Sequence, residues 1–344
     1  MKSILRVFFL LLYFTKLSAQ TPVPASKLIY LDSSYAETTE ENYKYTRLIE
    51  KYYSDQNSYI FKEYYKSEVL KSIGTTLSKD NLKKDGQYIS YYENGKKEST
   101  VNYSNNKKTG REFNWYENGE IKSELEYLNV KKGKEEVTKV KINNFWSTQK
   151  EQTVINGNGQ VEQTDDYFYE RGEVKNGEKH GVWEGKNLKK RYVFTESYNE
   201  GILTSGTSTD ENNNQFTYKT VLEKPIPAKG MNHFYKFIGT HYRTPKVEGL
   251  SGKVYITFVI NEDGNPTKLR VLRDIGYDTG PEAVKTIVNY GKWIPGKMRG
   301  VPTDVLYSLP ITIQATKGNN LVEPYQPGIN NSRNVYQYQL LKNF

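Results

Sequence analysis

The sequence predicts a β-rich protein in two parts: a ladder of β-hairpins, followed by a small α+β domain with a three-stranded antiparallel sheet and two helices. Among the 344 residues are 30 Tyr, 13 Phe, 4 Trp and 26 Gly, a mix typical of short, half-buried strands joined by turns. A 24-residue repeat occupies the middle of the chain, and the composition changes near residue 221. The length also suits about two domains.

The composition excludes several classes of function. The chain has 49 Lys and Arg against 40 Asp and Glu, a net charge of +9, and so small a surplus predicts no nucleic-acid partner. There is no cysteine, which excludes disulfides, thiol catalysis and zinc bound by cysteine. The three histidines leave little room for a histidine metal site. We therefore expect no metal and no cofactor.

Residues 1–19 are predicted to be a signal peptide. Lys2 and Arg6 precede a short uncharged run, residues 7–15, and the segment ends at Ala19, the pattern of a cleaved secretory signal. A membrane anchor is the alternative, but nine helical residues extend about 14 Å across a hydrocarbon core of about 30 Å. We expect an exported chain, in the periplasm or at the outer membrane, with no direct membrane span after processing.

The hairpin repeats are predicted over residues 78–220. The unit GQYISYYENGKKESTVNYSNNKKT, from Gly86, matches GREFNWYENGEIKSELEYLNVKKG, from Gly110, at 10 of 24 positions. Asn-Gly between alternating runs predicts a hairpin with a type I′ turn. An eroded third copy begins at Gly181, and residues 20–77 are expected to be partly β with one degenerate repeat.

Alternation along each repeat assigns its faces. One face should be shared by Ile89, Tyr91, Val101 and Tyr103 in the first unit, and by Phe113, Trp115, Ile121, Leu125 and Tyr127 in the second. The lysine pairs, among them Lys107–Lys108, fall at predicted turns, where we expect solvated side chains. A patch for lipid headgroups or polyanions is the alternative for these lysines.

The α+β domain is predicted over residues 221–316. Strands are expected at 253–260, 267–272 and 304–314, and helices at 231–239 and from Pro281 to about Tyr290. Pro310 has no N–H to donate, so it places the last strand at the edge of the sheet. An accessible edge can accept an extended peptide as an added strand.

Two stretches resemble known families. The repeats resemble MORN-variant repeats of the kind found in YwqK-like antitoxins. GKVYITFVINEDG, from Gly252, and WIPGKMRGVPTDVLYSLPITI, from Trp293, are similar to the strand motif and the final segment of the TonB C-terminal domain. That resemblance implies a periplasmic domain that captures the TonB box of an outer-membrane transporter by strand addition.

The implied site is the last strand. The residues expected on its peptide-binding edge are Asp304, Leu306, Ser308, Pro310 and Thr312, and those of the supporting motif are Trp293, Pro295, Gly300 and Pro302. The remaining residues, 317–344, are expected to form a flexible tail or to pack loosely on the sheet. If the tail lay across the last strand, it would block the peptide.

Three functional hypotheses follow. The first is a non-enzymatic exported protein of the TonB type, bound to an outer-membrane transporter and linked to transport. The second is a periplasmic or surface scaffold that uses the hairpin repeats without energy transduction. An enzyme is the third: no catalytic motif occurs, and adjacent acids such as Asp165 and Asp166 would face opposite ways in a strand. A homodimer remains open under each hypothesis.

Overall fold

The computed structural model describes residues 25–33, 35–132, 135–316 and 319–324. The predicted signal peptide, residues 1–19, and most of the predicted tail, residues 325–344, lie outside the described residues. Over the described part of the chain, no helix is both long and apolar enough to cross a membrane. The predicted class is confirmed: a strand-rich hairpin ladder is followed by a small domain with two helices.

The ladder is one antiparallel sheet in which each strand pairs with the next along the chain. Within the described residues it has 16 strands, the order that a series of consecutive hairpins produces. They are β1 (Lys27–Leu31), β2 (Tyr45–Ile49), β3 (Tyr59–Tyr65), β4 (Leu70–Thr76), β5 (Lys84–Tyr91), β6 (Lys97–Ser104), β7 (Lys107–Trp115), β8 (Ile121–Lys132), β9 (Glu135–Trp146), β10 (Gln152–Ile155), β11 (Asn158–Thr164), β12 (Phe168–Lys175), β13 (Glu178–Asn187), β14 (Val193–Asn199), β15 (Ile202–Thr209) and β16 (Gln215–Tyr218).

Hydrogen bonds between successive turns tie one repeat to the next. The Tyr92 hydroxyl donates to the carbonyl of Trp115 at 2.7 Å, and the Tyr116 hydroxyl donates to the carbonyl of Trp146 at 2.8 Å. The Asn94 side chain also donates to the carbonyl of Glu117 at 2.9 Å. Because one hairpin alone is marginal in water, these contacts stabilise the stack as a whole.

The Asn-Gly turns differ from the predicted type I′ geometry, which needs a positive φ at both residues. Here only the glycines have one, 81° at Gly95 and 90° at Gly119, and the Gly95 N–H donates to the Tyr92 carbonyl. Each hairpin therefore turns through a longer loop that ends in a left-handed glycine, with a register shift beside it.

Part of the predicted face assignment is wrong. Tyr88 pairs with Val101 and Glu112 pairs with Leu125, so Tyr88 and Glu112 share the face of the buried Val101, which we call the inner face. Ile89 and Phe113 point to the opposite face, because successive side chains of a strand alternate. The register shift offsets the additional loop residue, so the pairs beyond it are those of a two-residue turn, and the assignment failed because it grouped the most apolar residues.

The C-terminal domain contains α1 (Met231–His241) and α2 (Thr279–Tyr290). Its main sheet, among the described strands, has the order β20 (Pro266–Arg273), β19 (Ser251–Ile260), β24 (Val305–Thr316) and β25 (Asn319–Pro324). Shorter strands join it to the ladder: β17 (Leu222–Glu223), β18 (Ile226–Pro227), β21 (Trp293–Ile294), β22 (Gly296–Met298) and β23 (Val301–Thr303). The three predicted strands and two helices are present, and β25 adds a fourth strand.

The core of this domain lies between the sheet and the two helices. Residues of β24 alternate, with Leu309, Ile311 and Ile313 buried. Phe234 and Ile238 of α1 and Ala283 and Ile287 of α2 pack against the same core. This apolar layer fixes one face of β24.

Both ends of the ladder contact the C-terminal domain. Gly300 packs against β16, while Arg270 on β20 forms an ion pair of 2.7 Å with Asp32, just after β1. Sixteen strands at about 4.8 Å spacing would extend about 75 Å in a flat sheet. Since both ends of the sheet contact one small domain, the ladder is curved.

Candidate functional site

The two edges of β24 have different partners. On one side, β19 pairs with residues 305–314 throughout. On the other side, β25 pairs with residues 311–316 only. Within the described residues, no strand pairs with residues 305–310 on that side. We call residues 305–310 the open half-edge.

The predicted edge residues divide between the two halves of β24. Leu306, Ser308 and Pro310 lie in the open half-edge, and Ser308 is exposed. Thr312 pairs with Glu323 of β25, and Asp304 precedes the strand. Pro310 lies at the boundary, since the pairing with β25 begins one residue later, at Ile311.

An aromatic group supports the open half-edge on the helix side of the sheet. The Tyr307 ring lies 5.1 Å from Trp293 and 5.3 Å from Phe258. Its hydroxyl points to the sulfur of Met231, the first residue of α1, at 3.8 Å. Burial, with a smaller contribution from Tyr235, raises the pKa of Tyr307 to about 12, so the hydroxyl remains a donor at neutral pH.

Trp293, the first residue of the predicted supporting motif, lies below this group. Its ring is 3% exposed and packs against Phe234 at 5.0 Å. The indole Nε1 is buried, and no acceptor among the described residues lies within hydrogen-bonding distance. Trp293 therefore supports Tyr307 by packing.

Gly300 of the supporting motif contacts the ladder. Pro295 is half-buried, and the tip of the β22–β23 hairpin is formed by Arg299 and Gly300, with φ of 53° and 78°. A Cβ on Gly300 would lie 2.9 Å from Cβ of Phe216 on β16. The hairpin tip is therefore a contact with the end of the ladder.

Arg299 enters the inner face of the ladder and is completely buried. Its Nε donates to Glu196 at 2.9 Å, and its Nη2 lies 3.4 Å from Glu170. The guanidinium also lies over the rings of Phe194 and Phe168, 3.8 Å and 4.7 Å from their centroids. We call these five residues the Arg299 latch. Such desolvated contacts with aromatic rings are worth about 2 kcal/mol.

Backbone hydrogen bonds hold the same hairpin tip. The Ser208 hydroxyl donates to the Arg299 carbonyl at 2.8 Å, and the Arg299 N–H donates to the Val221 carbonyl at 2.6 Å. The Tyr192 hydroxyl donates to the Met298 carbonyl at 3.4 Å. The ladder thus binds the tip through its backbone as well as through the arginine.

The charges of the latch are matched. Burial alone would raise the pKa of Glu170, but the nearby cations Lys179 and Arg299 lower it to about 2. Lys179 lies 2.9 Å from Glu170. Glu170 is therefore ionised at neutral pH, as a partner for buried Arg299 must be.

Arg299 continues a series of cations along the inner face of the ladder. Lys84 lies 3.7 Å from the Tyr88 ring, and Lys179 lies 3.9 Å from the Trp183 ring. Between them, Lys108 pairs with Glu112 at 2.5 Å and lies over Tyr127. Each lysine precedes the first glycine of its repeat by two positions. Lys108 is only 17% exposed, so the expectation of a solvated turn residue is wrong there.

A second contact joins the ladder to the start of β24. Lys190, in the loop between β13 and β14, donates to the carbonyl of Pro302 at 2.9 Å and pairs with Glu262 at 2.5 Å. Pro302 belongs to β23, and Glu262 lies in the turn between β19 and β20. Pro302 therefore contributes to the ladder contact.

Arg299, Glu170 and Glu196 were not predicted as site residues, although one signal was present in the sequence. Glu196 lies 15 residues after Gly181, at the offset where the other repeats have the apolar Val101 and Leu125. An acid at an inner-face position requires a buried cation. For metal binding, the described part of the chain contains no cluster of three candidate ligands.

Comparisons with known proteins assign families to two segments. Residues 245–312 match the family model for the Gram-negative bacterial TonB protein C-terminal, and residues 84–105 and 108–129 each match the MORN repeat variant. Both resemblances found in the sequence are thereby confirmed. No curated protein matches the chain. The TonB C-terminal family is one of non-enzymatic energy transducers that interact with outer-membrane transporters.

Proposed function

We propose that this chain is an exported, non-enzymatic protein of the TonB type. In this proposal it binds the extended TonB-box peptide of an outer-membrane transporter by strand addition and is thereby linked to TonB-dependent transport. The observation that carries the proposal is the open half-edge: residues 305–310 are paired to β19 on one side and have no described partner strand on the other. The family match over residues 245–312 supports the same role.

Backbone chemistry sets the affinity expected at the open half-edge. About half of its residues direct N–H and C=O groups away from β19, which allows up to about six hydrogen bonds to a peptide. Each is worth about 0.5–1.5 kcal/mol net. Together with side-chain contacts, this is enough for a dissociation constant of about a micromolar.

Side chains beside the open half-edge offer recognition beyond the backbone. Tyr307 and Tyr235 are half-buried, and Met231 lies at the start of α1. The thioether that now faces the Tyr307 hydroxyl is a weak acceptor, so a peptide carbonyl can replace it at little cost. We propose that this group recognises a side chain or carbonyl of the added strand.

The direct test uses the full exported chain and a synthetic peptide that contains a TonB box, with binding measured by fluorescence anisotropy. Two matched peptides are N-methylated, one at odd and the other at even positions. Because only alternate N–H groups of an added strand face the sheet, one methylated peptide should lose binding and the other should keep it. Equal binding of both, or no binding of the unmodified peptide at high micromolar concentration, would contradict strand addition.

A periplasmic or surface scaffold is the second candidate function. The observation that favours it is the Arg299 latch, beside which Gly300 and Pro302 of the supporting motif contact the ladder rather than the half-edge. In that case partners would bind the hairpin repeats, and their binding would survive deletion of residues 221–344. A homodimer formed through the half-edge would compete with the peptide. The apparent affinity for the peptide would then fall as the protein concentration rises.

A further inference from the structure

We propose that the ladder is a positioning element for the open half-edge, and that Arg299 is the residue through which it acts. This inference rests on the proposed function, because it concerns the same edge. It adds that peptide affinity depends on a buried contact that lies outside the peptide-binding edge. The partner recognised by the end of the ladder is the arginine-tipped hairpin of the chain's own C-terminal domain.

The ladder residues of the latch are specific for an arginine side chain. Phe168 and Glu170 lie on β12, and Phe194 and Glu196 lie on β14, with β13 between them. Two carboxylates and two rings on a common face match the fork and the flat surface of a guanidinium, and a lysine could not reach both acids. The geometry therefore selects an arginine at the tip of a tight turn.

The β22–β23 hairpin, which carries Arg299, is directly connected to the half-edge. Only residues 300–304 separate Arg299 from the first residue of β24. The hairpin also packs on that first residue, since a Cβ on Gly296 would lie 2.5 Å from Cγ2 of Val305. A movement of the hairpin therefore displaces the end of β24 at which the half-edge begins.

Lys190 holds the neighbouring strand at the same end. It joins the ladder to Pro302, just before β24, and to Glu262, just after β19. Val305 pairs with Ile260 at this end of the sheet. Both strands at the start of the half-edge are therefore held against the ladder, which keeps the edge ordered before a peptide arrives and reduces the entropy cost of binding.

The test compares the latch with a matched carboxylate elsewhere in the ladder. Arg299→Met and Glu196→Gln disrupt the latch, and Arg299→Lys is a milder variant that keeps the charge. Glu112→Gln is the control, because Glu112 is also buried and paired, with Lys108 and the Tyr127 hydroxyl, within the ladder itself. Each variant is measured for affinity to a TonB-box peptide and for the distance between the two domains.

The distance measurement exploits the absence of cysteine from the chain. Spin labels are placed on Ser205→Cys in the ladder and Lys236→Cys in α1, both at exposed positions. Arg299→Met and Glu196→Gln should broaden the distance distribution and weaken peptide binding about fivefold or more, the usual range for coupled sites. Arg299→Lys should be intermediate, and Glu112→Gln should change neither quantity.

The contrary outcomes are distinct. A broadened distance with unchanged affinity would overturn the positioning role and leave the proposed function intact. An unchanged distance in Arg299→Met would show that the latch does not hold the domains together. Absence of peptide binding by the unmodified chain would overturn the proposed function and this inference with it.

Discussion

Arg299 and Glu196, 103 residues apart in the sequence, form an ion pair in which neither side chain is exposed to solvent, with Nε 2.9 Å from Oε1. The pair lies where the C-terminal domain meets the inner face of the ladder. A charge removed from water is tolerated only with matched partners, so the two modules depend on each other at this point. The repeats are thus more than a spacer before the TonB-type domain.

Breaking this pair from one side should destabilise the protein strongly. Arg299→Met leaves a buried, uncompensated carboxylate, which typically costs about 3–5 kcal/mol. The measurement is urea unfolding followed by circular dichroism. The matched control is Lys297→Met, since Lys297 lies on the same hairpin but forms only an exposed ion pair of 3.8 Å with Glu223. If Arg299→Met cost no more than the control, the latch would not stabilise the fold.

Acid should weaken the latch over a defined pH range. The pKa of Glu170 is lowered from 4.5 to about 2 in the folded chain, so its stabilising contribution is complete above about pH 4.5. It is lost as the pH falls towards 2, and amounts to about 3 kcal/mol. Unfolding free energies measured from pH 5 to pH 2 should fall less steeply in Glu170→Gln. The exposed Glu162→Gln should follow the unmodified chain, and parallel curves for all three would refute this assignment.

Lys84 should add a second pH dependence of stability, in the alkaline range. Burial lowers its pKa from 10.5 to about 8, although the charge of Glu63 opposes this. The folded state then releases the proton before the unfolded state does, so stability relative to Lys84→Met should rise between pH 8 and about 10.5. The gain is at most about 3 kcal/mol. A constant difference between the two proteins across this range would show that Lys84 titrates normally.

A side chain at position 206 should clash with an aromatic ring of the next strand. A Cβ at Gly206 would lie 2.2 Å from the ring of Tyr218, whose hydroxyl donates to Glu196 of the latch. Gly206→Ala should therefore cost about 1–3 kcal/mol through overpacking. The neighbouring exposed Ser205→Ala should be nearly neutral in the same thermal melts, and equal effects of the two substitutions would exclude this explanation.

Strand β25 should restrict the length of edge that a peptide can use. It pairs with residues 311–316 of β24, so a chain ending at Thr316 presents an edge about twice as long. We expect TonB-box peptide to bind that chain about tenfold more tightly, because additional backbone hydrogen bonds become available. A chain ending at Pro324 keeps β25 and should bind more weakly than the chain ending at Thr316. If the chain ending at Thr316 bound the peptide with the affinity of the full chain, the peptide would be confined to residues 305–310.

Local signals account for what could be predicted from the sequence. Alternation in β19 and β24 and the turn residues between strands are short-range patterns, and they identified the hairpins and the strands of the C-terminal domain. The faces of β5 and β7 were assigned wrongly because the most apolar residues were grouped together, whereas the inner face pairs Tyr88 with Val101 and Glu112 with Leu125. A buried carboxylate that pairs with Lys108 does not follow the apolar pattern from which the faces were assigned.

The candidate site was predicted only in part, for a related reason. Pro310 predicted an edge strand from its missing N–H, but β24 is paired on both sides over residues 311–314, and among the described strands residues 305–310 lack a partner on the side opposite β19. The pairing of Arg299 with Glu170 and Glu196 joins residues more than 100 positions apart. The one local signal was Glu196, an acid at a repeat position that is apolar in Val101 and Leu125. The role of β25 was equally hidden, since its sequence lacks a clear alternation.

The most direct test of the central claim is amide hydrogen exchange across the full chain, with and without the TonB-box peptide. If a peptide adds as a strand, the amides of residues 305–309 that do not bond to β19 should become protected, because they gain carbonyl acceptors; Pro310 has no amide hydrogen. Residues 311–316, already paired with β25, should change little. Protection confined to the hairpin ladder, with none in residues 305–310, would contradict peptide capture at this edge.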